Sequence, residues 1–108
     1  MTSLLPIKLI LTSVGHAKEA HTLAEGLVAS SLAACVQISN QGQSVYRWQG
    51  KVVSDDEYYL SIKTDSEHAQ EVVNWLKSHH SYDVPEIIVV DAMADHAYGQ
   101  WLQHELNQ

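Results

Sequence analysis

The sequence predicts an α+β fold in which helices pack on an antiparallel sheet. Three observations carry that prediction: nearly continuous apolar runs at Ile7 to Val14 and Ile87 to Val90, an alternating stretch from Lys51 to Thr64, and three segments whose apolar residues recur every three or four positions.

Ile7 to Val14, with Leu9, Ile10 and Leu11 in succession, reads as a first strand buried on both faces. From Ala17 the apolar residues fall at Ala17, Ala20, Leu23, Ala24, Leu27 and Val28, which is the stripe of an amphipathic helix ending near Ser30. Ala33 to Ile38 and Ser44 to Trp48 read as one long, bulged second strand, interrupted at Asn40 and Gly42. Gln49 and Gly50 form the turn into a third strand, Lys51 to Thr64. There Tyr58, Leu60 and Ile62 share one face, Tyr59, Ser61 and Lys63 the other, and Asp55, Asp56 and Glu57 are expected to be exposed. Asp65 or Ser66 can cap a second helix built on Ala69, Val72, Val73 and Leu76, which stops at Ser78 to His80 before the break imposed by Pro85. Ile87 to Val90 is a fourth strand expected to be buried on both sides. Asp95 then caps a terminal helix carrying Tyr98, Trp101, Leu102, Glu105 and Leu106 on one stripe.

The order βαββαβ, with short connections and right-handed crossovers, gives a ferredoxin-like sandwich with an added C-terminal helix, residues 1–108 forming one domain. Two helices cover one face of such a sheet. The first and fourth strands are apolar on both faces, so the bare face calls for a cover, either further copies of the chain or the terminal helix. Pairing with a neighbour would also protect the long hairpin that carries Tyr46, Arg47 and Trp48.

A hydrophobic fraction of 45% with 18% charged residues is globular composition. The net charge of -7 argues against nucleic-acid or anionic-membrane partners and tolerates metal cations. Cys35 is the one cysteine, so no intrachain disulfide forms. Its place in an Ala-Ala-Cys-Val strand suits a small buried apolar residue. Pro6 and Lys8 interrupt the early apolar run, so no secretory signal is read and a cytoplasmic address is expected. No apolar run approaches the roughly 20 residues that span a bilayer.

Three segments, Leu27 to Val36 (LVASSLAACV), Ser44 to Lys51 (SVYRWQGK) and His79 to Ile87 (HHSYDVPEI), resemble the CutA family of divalent-cation tolerance proteins. Ile62-Lys63-Thr64 and the closing Tyr98, Trp101 and Leu102 extend the resemblance in the right order over most of the chain. It implies a ferredoxin-like protomer, a homotrimer with inward-facing sheets, and a role in tolerance of copper and other divalent metals. It also implies likeness to the trimeric PII-like signalling proteins, which bind small ligands between subunits. Two departures stand out: Gly15 and His16 replace the family's frequent Pro-Asp, and Ser81 replaces its common proline. In some bacterial members a cysteine near the end of the first strand and two adjacent histidines are associated with copper. Here His79 and His80 match the histidines, and Thr12 stands where the cysteine would be.

A threonine hydroxyl is a poor ligand for copper or zinc beside thiolate or imidazole. The topology sets His16 near His79 and His80, and three imidazoles with water would make an open site for Cu(II) or Zn(II). Two points count against it. Adjacent helical residues point about 100° apart, so His79 and His80 converge only where the helix has unwound, and the helix N-terminus at His16 repels cations. The competing reading is that both histidines interact with the carbonyls that end the helix. Lys63, Tyr82, Glu86 and Trp48 are candidates to line an intersubunit cleft, with Lys63 expected to meet Glu86, Glu57 or a bound anion. A nucleophile with its base, a closed metal triad or a phosphate cradle is absent from the sequence, so no enzyme is expected. The readings in play are a metal-binding homotrimer, a PII-like sensor of small anions dependent on Lys63, and a trimeric scaffold.

Overall fold

A computed structural model describes residues 3–108 of the chain. Its elements run β1 (Leu4–Val14), α1 (Ala17–Ala29), β2 (Cys35–Ile38), β3 (Gly42–Trp48), β4 (Lys51–Thr64), α2 (Ala69–His79), β5 (Ile88–Asp95) and α3 (His96–Leu106). The strands lie in the order β2-β4-β1-β5, every pair antiparallel, and β3 pairs with the first half of β4. This is the antiparallel, ferredoxin-like arrangement that the sequence predicts. Among the described residues no helix is long and apolar enough to cross a membrane.

One expected strand is two. Cys35 to Ile38 pairs with Leu60 to Lys63, while Gly42 to Trp48 pairs with Lys51 to Glu57. Ser39 makes the step between them. Its N–H donates to the Tyr59 carbonyl at 2.9 Å, and its own Oγ accepts from the Tyr59 N–H at 2.9 Å, so a side chain replaces the backbone acceptor where the ladder breaks. The long β4 and its β3 partner project as an arm, which accounts for a long dimension of 51 Å against 28 and 23 Å. At its tip Gln49 and Gly50 have φ of 50° and 79°, the left-handed pair that suits a two-residue hairpin turn.

The helices follow from their spacing. Ala20, Leu23, Ala24 and Leu27 bury one face of α1, and Ala69, Val72 and Leu76 one face of α2. They close over Ile10, Val14, Leu60 and Ile62 of the sheet as the main core. Each large aliphatic side chain buried there contributes about 1.5–3 kcal/mol. Asp65 caps the turn into α2, its carboxylate accepting from the His68 N–H at 3.0 Å. Asp95 caps α3, accepting from the N–H groups of Ala97 and Tyr98.

On the opposite face α3 covers half of what the main helices leave bare. Leu102 and Leu106 pack with Ile7 and Ala94, flanked by Leu9, Ala34 and Ala92. The other half is open. The register pairs Leu11 with Ile88 and Leu9 with Val90, so these four residues share a face. Ile88 is 49% and Val90 37% exposed. The fourth predicted strand therefore begins one residue later than expected and is not buried on both sides. As β5 it is the sheet edge, beyond the reach of α1 and α2.

Candidate functional site

A cleft of about 670 Å³ opens between the β3–β4 arm and the loop that links α2 to β5. The arm contributes Tyr46, Trp48, Asp55 and Glu57, and the loop contributes Tyr82, Asp83 and Glu86. The floor is Ser13, at the end of β1. Trp48, Tyr82 and Glu86, which the sequence offers as lining a cleft between subunits, border this cleft within one chain. Lys63 does not. It lies six residues along β4 from Glu57, about 20 Å at strand spacing. There its ammonium donates to the Tyr98 hydroxyl at 3.3 Å and sits 5.2 Å from the centre of that ring. Within the chain its partner is Tyr98, and the expected pairing with Glu86 or Glu57 across subunits is a separate matter.

Four carboxylates, Asp55, Glu57, Asp83 and Glu86, line the cleft, and among the described residues no lysine or arginine does. The sequence places Glu57 with the exposed acids beside it; the structure buries it, 7% exposed. The reason is alternation: Glu57 shares the face of Tyr59 and Ser61, which puts its carboxylate beside Ser13 and under the loop. Its Oε2 accepts from the Ser13 hydroxyl at 3.2 Å and from the Tyr82 hydroxyl at 2.9 Å. Burial, and the hydrogen bond to Glu57, push the Tyr82 phenol far above its ordinary pKa, so it stays a donor. Tyr46 donates to Asp55, which likewise raises its phenol. The cleft thus presents acceptors and negative charge between aromatic walls.

His80 anchors the loop. Its Nε2–H donates to the Ser13 carbonyl at 2.8 Å, and its Nδ1 accepts from the Tyr82 N–H at 3.1 Å, which fixes one neutral tautomer. The next residue, Ser81, is tied to α1, donating its N–H and hydroxyl to the Glu19 carboxylate at 3.0 and 2.9 Å.

The predicted imidazole trio is arranged differently from a metal site. α2 has unwound at His80, whose φ and ψ of -76° and 142° are extended, but the two rings turn to different partners. His79 stacks on Trp75 at 3.9 Å between centroids and donates Nδ1–H to the Trp75 carbonyl, as the helix-end reading anticipates. Both ring nitrogens of His80 are engaged, so it binds a metal only by giving up those bonds. Thr12 is 1% exposed and faces the main core between Ile10 and Val14, its hydroxyl without a partner. It cannot replace the cysteine as a ligand from there. His16 and His79 do line one groove between α1 and α2, and among the described residues the Nε2 of His79 has no hydrogen-bond partner. Among the described residues no three His, Cys, Asp or Glu side chains stand close enough to hold a metal ion.

The fold and cleft together define a ferredoxin-like protein with an acidic, aromatic-walled cleft. Residues 8–105 match the family model described as CutA1 divalent ion tolerance protein. The divalent-cation tolerance protein CutA of Thermus thermophilus is 38% identical over 97 residues, covering 89% of this chain and 94% of the relative. The CutA of Pectobacterium atrosepticum is 38% identical over 88 residues, 81% of this chain and 80% of that one. Among solved structures, CutA from Synechococcus elongatus superposes with a TM-score of 0.91 at 39% identity, covering 96% of both chains. A structure of CutA from the same organism complexed with a Bis-Tris molecule superposes at 0.86, with 36% identity over 95% of this chain and 99% of that one. The chain belongs to the CutA family of divalent-cation tolerance proteins.

Proposed function

We propose that the protein works as a homotrimer that binds divalent cations such as Cu(II) or Zn(II) in the acidic cleft. The observation that carries this reading is the lining itself: four carboxylates border one cleft that no lysine or arginine among the described residues lines, although no three of them stand together as a ligand shell. Carboxylate oxygens are ligands for Zn(II) and for harder divalent ions, and a cleft of one charge sign concentrates counter-ions. The donors one chain lacks come from water or a neighbouring subunit. Self-association is supported by the exposed apolar residues Ile88 and Val90 on the open face and by Val45 and Val52 on the projecting arm. The role is binding rather than catalysis, and the single cysteine fits work in the cytoplasm.

The same lining turns the small-ligand reading around. Lys63 stands apart from this cleft within the chain, so the lining supports a cation there rather than an anion held by Lys63. A second metal reading rests on His79 Nε2 and His16, which share the α1–α2 groove.

Calorimetric titration of metal-free protein with Zn(II) and then Cu(II) separates the two. Uptake lost in Asp83→Asn/Glu86→Gln and kept in His79→Ala/His16→Ala supports the cleft. The reverse pattern moves the site to the groove.

A further inference from the structure

The loop that joins α2 to β5 is fastened by side chains. From Ser81 to Glu86 no backbone–backbone hydrogen bond forms among the described residues, and Val84 is 85% exposed, so neither a ladder nor apolar burial fixes this stretch. Its fastenings fall on two consecutive residues. Ser81 donates its N–H and its hydroxyl to the two oxygens of the Glu19 carboxylate on α1, and Tyr82 donates its hydroxyl to Glu57 on β4. The Tyr82 N–H donates to the ring of His80, whose other nitrogen holds the Ser13 carbonyl of β1. Three elements are thereby tied through one short run of chain. Glu19 also lines the α1–α2 groove, while Tyr82, Asp83 and Glu86 line the cleft.

We propose that residues 80–86 act as a strap that opens and closes as a unit and couples the α1–α2 groove to the cleft. All-or-none opening follows from adjacency: a backbone that swings off Glu19 at Ser81 also carries the Tyr82 phenol off Glu57 and its amide off His80. Bonds to a carboxylate are the stronger kind, and the strap has three, two on Glu19 and one on Glu57. A cation in the groove that engages Glu19 frees Ser81, and the open strap takes Asp83 and Glu86 away from Asp55 and Glu57 on the arm. By linkage, a ligand that gathers the cleft carboxylates steadies Ser81 on Glu19. The cation reading of the cleft bears only on this consequence, since the strap is made of the chain's own contacts.

The test is amide hydrogen exchange of the intact protein, read residue by residue by NMR in wild type, Glu19→Ala and Tyr82→Phe. Loss of charge-assisted hydrogen bonds in Glu19→Ala is expected to speed exchange at the Tyr82 amide about tenfold or more, although its own acceptor, His80, is untouched. Tyr82→Phe is expected to speed the Ser81 amide, whose acceptor Glu19 it leaves in place. The core amides of Ile62 and Leu76 are expected to keep their rates, which separates strap opening from a general loss of stability. Ser81→Ala, at an exposed position, cuts one of the two bonds to Glu19 and gives the same reading if Glu19→Ala misfolds. A Tyr82 amide unmoved by Glu19→Ala, or a Ser81 amide unmoved by Tyr82→Phe, makes the fastenings independent and overturns the strap. So does a wild-type Tyr82 amide that exchanges as fast as an unstructured peptide. Zn(II) uptake by the same samples is a separate readout: coupled amides without uptake leave the strap and remove the cation reading, and uptake with uncoupled amides removes the strap alone.

Discussion

At the scale of single residues, the site was partly legible. Trp48, Tyr82 and Glu86 belong to the family-like segments that offer residues for a cleft between subunits, and within the chain they border one cleft. Glu57 was hidden inside an acidic run that reads as solvent-exposed, because its burial depends on a loop from a distant part of the chain. His80 was equally opaque: a pair of histidines suggests a metal, and only the tertiary contact with Ser13 shows one of them holding backbone. The raised Tyr82 phenol carries a pH consequence. Its folded pKa lies above the ordinary value, so the stabilisation is complete below about pH 10 and is lost as pH rises beyond it. Tyr82→Phe is expected to flatten the alkaline decline in stability, measured by urea denaturation across that range; an unchanged decline would show that the phenol is not responsible. Asp95→Ala removes two cap hydrogen bonds from α3 and is expected to cost about 1 kcal/mol by the same method.

At the scale of elements, spacing located both core helices and the capped terminal one, since local periodicity alone decides which face is buried. The division of β2 from β3 was not legible, because it depends on Ser39 bonding across to Tyr59 in another strand. Nor was the exposure of β5, whose apolar run does not say which neighbours will cover it. The seat of α3 gives a prediction. A Cβ at Gly99 would stand 2.8 Å from the Leu5 Cβ, an atom fixed to the β1 backbone. Alanine brings about 1 kcal/mol of helix propensity, against an overpacking cost of about 1–3 kcal/mol. Gly99→Ala is therefore expected to lower the thermal midpoint, and a rise would mean that α3 can shift away from β1.

At the scale of the whole molecule, the half-covered sheet and the projecting arm are surfaces that a lone 12.0 kDa chain leaves in water. Light scattering at micromolar concentration is expected to give three times the chain mass, and Ile88→Asp, placing a charge on the open face, to give a smaller species. A wild-type mass of one chain would remove the case for assembly. The most direct test of the central claim is where a paramagnetic ion settles. With substoichiometric Cu(II) added to the isotope-labelled protein, the account predicts that NMR signals of Trp48, Tyr82, Asp83 and Glu86 broaden first. Broadening that begins instead at His16, Trp75 and His79 would contradict it and place the ion in the α1–α2 groove.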